Sequence, residues 1–265
     1  MVAEGDRIWY NFYMPSITLS EVQRKTILIW HGINDALNLQ FFLKSSIVWG
    51  EIDVRYYKND LVCRHDAFET RPLAPDEALL KFDPCIGEFI KTQKGIKIDV
   101  KEGGPPLRGL MNTLKKKSVP DKNIIFNVNL LYASLNEIKN IHEIFPDAII
   151  QTPIPLVWMR QEMPEDQKKS FYDQLKKTGI QRLSISWRDL PTKNEIDHVR
   201  QNGFSLNLYH VETPNDIQKA LIFAPETLTS DLNIPEWGLH GRGSGEKKTK
   251  SLKGLDKHFV KKGSS

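Results

Sequence analysis

Four polar residues whose side chains bind metals or transfer protons follow short apolar runs in the segment 27–66. His31 ends the first run, and His65 follows the third. Between them, Glu51 and Asp53 stand two residues apart near the end of the second run. Imidazoles titrate near neutral pH, and hard divalent cations prefer carboxylate oxygens. The residue types and their order therefore predict a site that combines a metal ion with acid/base groups.

Glu51 and Asp53 are separated by one residue of a predicted strand, so their side chains face the same way, about 6.5 Å apart. Two carboxylates that face the interior repel each other and lose hydration unless a cation lies between them. The next predicted strand repeats the pattern with Asp99 and Lys101. Glu51, Asp53 and Asp99 therefore predict the ligands of one Mg²⁺ or Ca²⁺ ion, with a metal-free cluster of salt bridges as the alternative.

The same residues suit the cleavage of a phosphodiester. A metal held by three carboxylates keeps positions open for water and a phosphate oxygen, and Lys101 adds a positive charge on that face. Cleavage also needs a base for the nucleophile and an acid for the leaving oxygen, tasks that fit His31 and His65. The nucleophile is either water or a substrate hydroxyl, which would give a cyclic phosphate. Asp66 either orients His65 or caps a turn.

Strands and helices must alternate to bring these residues together. From residue 25 onward, short β-branched runs alternate with segments of helical period, which predicts βα units and a parallel sheet. Eight such units favour a single (β/α)8 TIM barrel over an open sheet. The catalytic groups of such barrels lie at the carboxyl ends of the strands. The predicted strands are 26–30, 47–54, 95–100, 123–129, 148–151, 181–187, 204–209 and 228–232.

Other strand ends add candidates for the pocket. Asn127 on the fourth predicted strand and Asn207 on the seventh can donate to a substrate phosphate, although interior asparagines also serve as structural hydrogen-bonding residues. The barrel is predicted to occupy residues 25–240. The aromatic-rich segment 1–24 is predicted to pack across one end of it.

The chain is basic because of its last residues. Its net charge is +4, but the segment 246–265 holds seven lysines against two acidic residues, a net of +5, which leaves the rest of the chain at −1. A tail rich in Lys, Gly and Ser buries too little surface to offset its ordering entropy, so residues 241–265 are predicted to be disordered. The tail serves solubility or, alternatively, attracts RNA or an anionic membrane surface.

Cysteine usage and the missing hydrophobic segments predict a cytoplasmic protein. Cys63 and Cys85 have neither metal-ligand nor redox spacing, and one pair is too little for a secreted disulfide framework. The first residues lack a basic region followed by an apolar one, and no apolar run approaches the length of a transmembrane segment.

Several motifs of the chain resemble the glycerophosphodiester phosphodiesterase superfamily of TIM barrels, and the resemblance covers most of the predicted barrel. These motifs are His31-Gly32, Glu51-x-Asp53, His65-Asp66 and the segment 224–231. Asp99-x-Lys101 replaces the more usual Glu-x-Lys and is more similar to the menorin and sphingomyelinase D-like branches. The predicted strand that ends in Trp187 is also similar to a menorin strand.

The resemblance implies a role for each site residue. It implies that His31 and His65 are the acid/base pair, that Lys101 contacts the phosphate and that Trp187 lines the pocket. It also implies a set of metal ligands, which are Glu51, Asp53 and Asp99.

The chain departs from the superfamily directly after His31. The usual Arg-Gly and the Glu-Asn-Thr motif are replaced by Gly-Ile-Asn-Asp, where Asn34 stands for the asparagine of the menorin pattern. This departure argues against a small glycerol-type substrate and leaves a lysophospholipid or sphingolipid headgroup, or the 3′ end of an RNA. The alternative function is a catalytically silent, menorin-like binding or adhesion module that retains the barrel.

Overall fold

The structure, a computed structural model, describes residues 18–160, 164–233 and 238–239. One sheet in this part of the chain contains ten strands. In chain order they are β1 (Ile27–Trp30), β2 (Trp49–Tyr57), β3 (Asp60–Cys63), β4 (Leu80–Lys81), β5 (Gly95–Val100), β6 (Ile124–Val128), β7 (Ile149–Pro153), β8 (Arg182–Ser186), β9 (Ser205–Val211) and β10 (Thr227–Ser230).

Eight of these strands form a closed parallel barrel. β5 to β10 follow β2 in order around the sheet, and β1 pairs in parallel with both β2 and β10. The predicted (β/α)8 barrel is therefore confirmed. β3 and β4 extend the sheet from β2 as antiparallel strands, and a further short antiparallel pair joins β11 (Leu232–Asn233) to β12 (Gly238–Leu239).

Helices connect the barrel strands. They are α1 (Leu19–Gln23), α2 (Ala36–Lys44), α3 (Phe82–Thr92), α4 (Pro105–Lys116), α5 (Leu135–Ile144), α6 (Leu156–Arg160), α7 (Glu165–Lys177), α8 (Lys193–Gln201) and α9 (Pro214–Leu221). Local sequence sets where some of them begin, because Ser134 and Thr192 form capping boxes with Glu137 and Glu195. The helices direct apolar side chains toward the sheet, so the apolar core lies between the two layers.

The interior of the barrel is polar, as β5 shows. Ile96 and Ile98 belong to the apolar core, whereas Lys97 and Asp99 contact polar side chains of other barrel strands. Successive residues of a strand point to opposite faces, so this alternation sends every second side chain of β5 into the barrel. The barrel can therefore gather charged groups that the helices shield from solvent on the outside.

The structure differs from the sequence prediction at some element ends. β2 continues to Tyr57 because its last residues pair with β3, and the apolar run that precedes His65 lies in that antiparallel strand. The five-residue helix α6 is too short to show a helical period. Part of the predicted segment 1–24 is helix α1, whose Val22 is buried. Residues 1–17 and the basic tail 241–265 lie outside the described residues. No helix in the described ranges is long and apolar enough to cross a membrane.

Candidate active site

β1 carries His31 to the carboxyl end of the barrel, where its backbone N–H donates to the Ser230 carbonyl oxygen at 3.1 Å. Two carboxylates enclose its ring, which is 8% exposed. Nδ1 lies 2.6 Å from Asp231 Oδ1, and Nε2 lies 3.1 Å from Glu51 Oε2. Acceptors at both nitrogens suit the imidazolium form, which carries an N–H on each. The two contacts therefore favour an N–H on both ring nitrogens.

Glu51 is buried and also contacts a lysine that the motifs do not include. Its Oε1 lies 3.3 Å from Lys97 Nζ, and Lys97 donates to Thr229 Oγ1 at 3.0 Å across the barrel. The Gly32 backbone N–H donates to Glu51 Oε2 at 3.3 Å. Lys97 precedes Asp99 by two residues on β5, so strand alternation alone places it on the interior face and could have identified it.

Asp53 is held by an asparagine and a lysine. Asn34 Nδ2 donates to Asp53 Oδ2 at 2.5 Å, and the Asp53 backbone N–H donates to Asn34 Oδ1 at 3.0 Å. Lys101 Nζ lies 2.9 Å from Asp53 Oδ1. Burial alone raises the pKa of Asp53, but the charges of Lys101, His65 and His31 outweigh it and hold the pKa well below its usual range. Asp53 is therefore an anion near both predicted acid/base groups.

A row of polar residues continues from Asp53 across three further strands, in the register Asp53, Asp99, Asn127, Gln151. Lys101 Nζ lies 2.6 Å from Asp99 Oδ2, and Asn127 Nδ2 donates to Asp99 Oδ1 at 2.9 Å. Gln151 donates to Asn127 Oδ1 at 2.8 Å. Burial alone lowers the pKa of Lys101, but the two carboxylates raise it above its usual value. Lys101 is therefore a permanent cation within this row.

His65 lies beyond β3, on the loop that follows it, and its side chain is 36% exposed. Its Nδ1 is 2.9 Å from Asp66 Oδ1, and its carbonyl oxygen accepts a hydrogen bond from Arg55 Nε at 2.8 Å. Because residues 65 and 66 form a bend and not a strand, the neighbouring side chains can meet. Asp66 therefore contacts His65 through its side chain, as a role in orienting His65 requires.

A fully buried arginine fixes the loop that carries His65. Arg64 Nη1 donates to the Asp66 carbonyl oxygen at 2.7 Å, and Nη2 donates to the Arg71 carbonyl oxygen at 2.8 Å. Its Nε and Nη2 also donate to the two oxygens of Glu77, at 2.8 and 3.3 Å. The guanidinium lies 4.4 Å from the centre of the Phe68 ring. One side chain thus ties both ends of the segment 66–77 to the barrel.

Two other predicted pocket residues have structural surroundings. Asn207 is fully buried, donates to Ser184 Oγ at 2.7 Å and accepts from the hydroxyls of Thr227 and Thr229 at 2.8 and 3.2 Å. These contacts match the structural alternative for an interior asparagine. Trp187 begins a short 3-10 turn after β8, and its ring packs against the apolar core, 6.1 Å from that of Phe223.

The three predicted metal ligands lie on two neighbouring strands but do not converge. In the described part of the chain, no group of three or more His, Cys, Asp or Glu side chains is arranged to hold a metal ion. Lys101 lies between Asp53 and Asp99, in the gap that an ion would take.

The chemistry of the cluster nevertheless suits a divalent cation. Asp53 Oδ1 is buried and makes no hydrogen bond to the described residues, although Lys101 is close to it. The cluster's carboxylates, on Glu51, Asp53, Asp99 and Asp231, supply the oxygen donors that hard divalent cations prefer. Donor type therefore fits Mg²⁺ or Ca²⁺, whereas the place of Lys101 does not.

The fold and the cluster together define a TIM barrel with a group of charged side chains at the carboxyl ends of its strands. No protein-family model and no curated protein sequence matches the chain. Among solved structures that share the fold is a glycerophosphodiester phosphodiesterase from Parabacteroides distasonis, at 16% identity and a TM-score of 0.59, over 79% of this chain and 94% of that one.

Two further structures extend this comparison. A phosphodiesterase from Oleispira antarctica, in complex with the product sn-glycerol-3-phosphate, matches at 13% identity and a TM-score of 0.59, over 78% of this chain and 94% of that one. A glycerophosphodiester phosphodiesterase from Agrobacterium tumefaciens matches at 12% identity and a TM-score of 0.55, over 78% and 96%. The chain therefore has the barrel fold of the glycerophosphodiester phosphodiesterases, as its motifs predict. The likeness to the menorin branch stays a prediction.

Proposed function

We propose that this protein is a metal-dependent phosphoric diester hydrolase. The observation that carries the proposal is the His31 ring, held between Glu51 and Asp231 at the carboxyl end of a barrel that shares its fold with solved phosphodiesterases. The charges of His65 and His31 both lower the pKa of Asp53, which supports a role for the two imidazoles at the same site. His31 would be the acid and His65 the base.

The two histidines divide the proton transfers. Asp66 accepts the Nδ1–H of His65, which leaves Nε2 as the base that takes the proton of the nucleophile. The nucleophile oxygen attacks phosphorus, and the bond from phosphorus to the leaving oxygen breaks. His31 Nε2 gives its proton to that oxygen, while Asp231 keeps the ring oriented through Nδ1. Both a water molecule and a substrate hydroxyl fit this scheme.

Charge stabilisation would come from Lys101 and from a cation. Lys101 Nζ donates to Asp99 Oδ2 at 2.6 Å and lies 2.9 Å from Asp53 Oδ1, and an ammonium group has three protons, so Lys101 would also donate to a phosphate oxygen. Mg²⁺ or Ca²⁺ held by Glu51, Asp53 and Asp99 would require Lys101 to leave the gap between the two aspartates, and would supply further positive charge to the phosphate.

Exposed apolar side chains on the carboxyl face favour a lipid substrate. Leu131 is 86% exposed on the loop after β6, Val157 is 64% exposed after β7, and Leu190 is 71% exposed after β8. Three neighbouring connections between strands and helices thus present apolar groups on the face that holds the site. Such a rim suits the acyl or sphingoid chain beside a lysophospholipid or sphingolipid headgroup.

The described cations near this rim do not favour RNA. Arg160 pairs with Glu195, and Arg188 pairs with Glu212, so neither is available for a phosphate backbone. RNA binding needs several cations along a channel. The Lys-rich tail is outside the described residues, and its attraction to RNA or to an anionic membrane is part of the proposal. The cytoplasmic location is also proposed, supported by the two buried free thiols, Cys63 and Cys85.

The test measures turnover of bis-p-nitrophenyl phosphate, a lysophospholipid, a sphingolipid and labelled RNA. We expect EDTA to abolish activity, Mg²⁺ to restore it, and His31→Ala to lower kcat by about 10²–10⁴-fold. His142→Ala, on the outer helix α5, is the matched control and should retain activity. Activity that survives both EDTA and His31→Ala would refute the mechanism, and RNA turnover without lipid turnover would refute the substrate class. Phosphate binding without turnover of any ester would favour the catalytically silent module.

A further inference from the structure

An irregularity in β9 places a third histidine beside the site. Leu208 pairs with Leu228 of β10, but Val211 pairs with Ser230, so three steps along β9 oppose two along β10. This is a β-bulge, which bends a strand and changes the direction of the side chain it contains. His210 lies inside it with φ +59, in the left-handed region.

The backbone of His210 is strained, because a residue with a Cβ adopts this region only at a cost. Asn207 faces the barrel interior, so regular alternation would also turn Tyr209 inward and send His210 outward, toward the helices. The bulge interrupts that alternation at the carboxyl end of a barrel strand, where such folds keep their active sites. Strain of this kind at such a place points to a functional use of the side chain.

The His210 ring lies next to the proposed acid. Its centre is 6.4 Å from the centre of the His31 ring, with the planes at 69°. The neighbouring strand β8 holds the ring in place, since Ser186 Oγ is 3.2 Å from His210 Nδ1. The Tyr209 ring packs against it at 4.5 Å. The ring is therefore fixed at the wall of the site on the side of β8 and β9, opposite the strands that carry Asp53 and Asp99.

We propose that His210 is a substrate-binding residue that donates a hydrogen bond to a phosphate oxygen. This inference rests on the proposed phosphodiesterase function, because it assigns the phosphate to a position beside His31, the proposed acid. Imidazole N–H groups are strong donors to phosphate oxygens. A histidine that only filled the core would keep its contact with Ser186 and would not need the left-handed backbone.

Glycine substitutions separate binding from strain. His210→Gly removes the ring and suits the backbone, since glycine adopts positive φ freely. Gln93→Gly is the matched control: Gln93 has φ +56 at the end of α3, directly before β5 begins and hence at the opposite end of the barrel. His210→Asn keeps a donor and tolerates the left-handed region, so it should rescue part of the loss.

The experiment compares kcat and KM for bis-p-nitrophenyl phosphate, the affinity for inorganic phosphate by calorimetry, and Tm. We expect His210→Gly to lower kcat/KM and phosphate affinity by about tenfold or more, with Tm at or above the wild-type value. Gln93→Gly should leave both within about twofold. Unchanged phosphate affinity in His210→Gly would overturn the inference, even if kcat fell, since the ring would then act only through its neighbours.

The same measurements keep the inference apart from the proposed function. If the wild type turns over the ester and His31→Ala does not, while His210→Gly resembles the wild type, only the role of His210 fails. If the wild type turns over no ester, the proposed function fails. The difference in phosphate affinity between wild type and His210→Gly then still tests whether His210 binds phosphate. A wild type that does not bind phosphate overturns both.

Discussion

Substituting lysine for Arg64 keeps a positive charge but removes the planar fork that ties the His65 loop to the barrel. Arg64 makes four hydrogen bonds, two to the Glu77 carboxylate and two to carbonyl oxygens of the segment 66–71. Its side chain is fully buried, so water cannot replace a bond that is lost. A lysine ammonium is a compact point charge that cannot form the bidentate pair.

The size of the effect follows from the contacts. We expect the lysine to keep its attraction to Glu77 and to lose about two of the four hydrogen bonds, each worth about 1.5 kcal/mol because the donor is charged. Arg64→Lys should therefore lower the free energy of unfolding by about 3 kcal/mol. For a domain of this size, that corresponds to a fall in Tm of about 6–12 °C. Turnover should fall as well, because the same bonds position Asp66 and His65.

Thermal unfolding followed by circular dichroism tests the magnitude, and hydrogen exchange tests whether the loop 65–77 loses protection first. Arg160→Lys is the matched control, since Arg160 forms the same kind of bidentate pair with Glu195 but is about half exposed. Surface ion pairs contribute little, so its Tm should change by no more than about 2 °C. Equal falls in Tm for the two variants would refute the reasoning that the buried guanidinium of Arg64 stabilises the loop.

Two further predictions concern carboxylates that pair with buried cations. Burial alone raises the pKa of Glu77, but hydrogen bonds from Arg64 and its neighbours lower it below the ordinary 4.5. The stability that Glu77 contributes is therefore present above pH 4.5 and is lost as pH falls through the folded pKa. Glu77→Gln should flatten the dependence of Tm on pH below about 5, and an unchanged slope would contradict this. Lys97→Met leaves Glu51 without its lysine and should lower the free energy of unfolding in urea by about 3–5 kcal/mol. Adding Glu51→Gln should recover most of this loss. A double variant as unstable as the single one would show that the charge on Glu51 is not the cause.

The sequence predicts the architecture because the strand period of about two residues and the helical period of about 3.6 residues are both local patterns. The bounds of β5 are those that alternation predicts, at residues 95–100. The sequence does not predict short elements such as α6, because five residues show no period and packing against the core stabilises them. The sequence does not predict the bulge at His210 either, since the bulge depends on the register between β9 and β10 and does not change the local sequence pattern.

For the candidate site, the sequence by itself determined which carboxylates face the barrel, because Glu51, Asp53 and Asp99 follow from a period of two. Tertiary structure alone decided which charges they meet. His31 and Asp231 are 200 positions apart and come within 2.6 Å only because β1 and β10 close the barrel. Barrel closure and strand register set these distances, and both arise from packing of the whole chain.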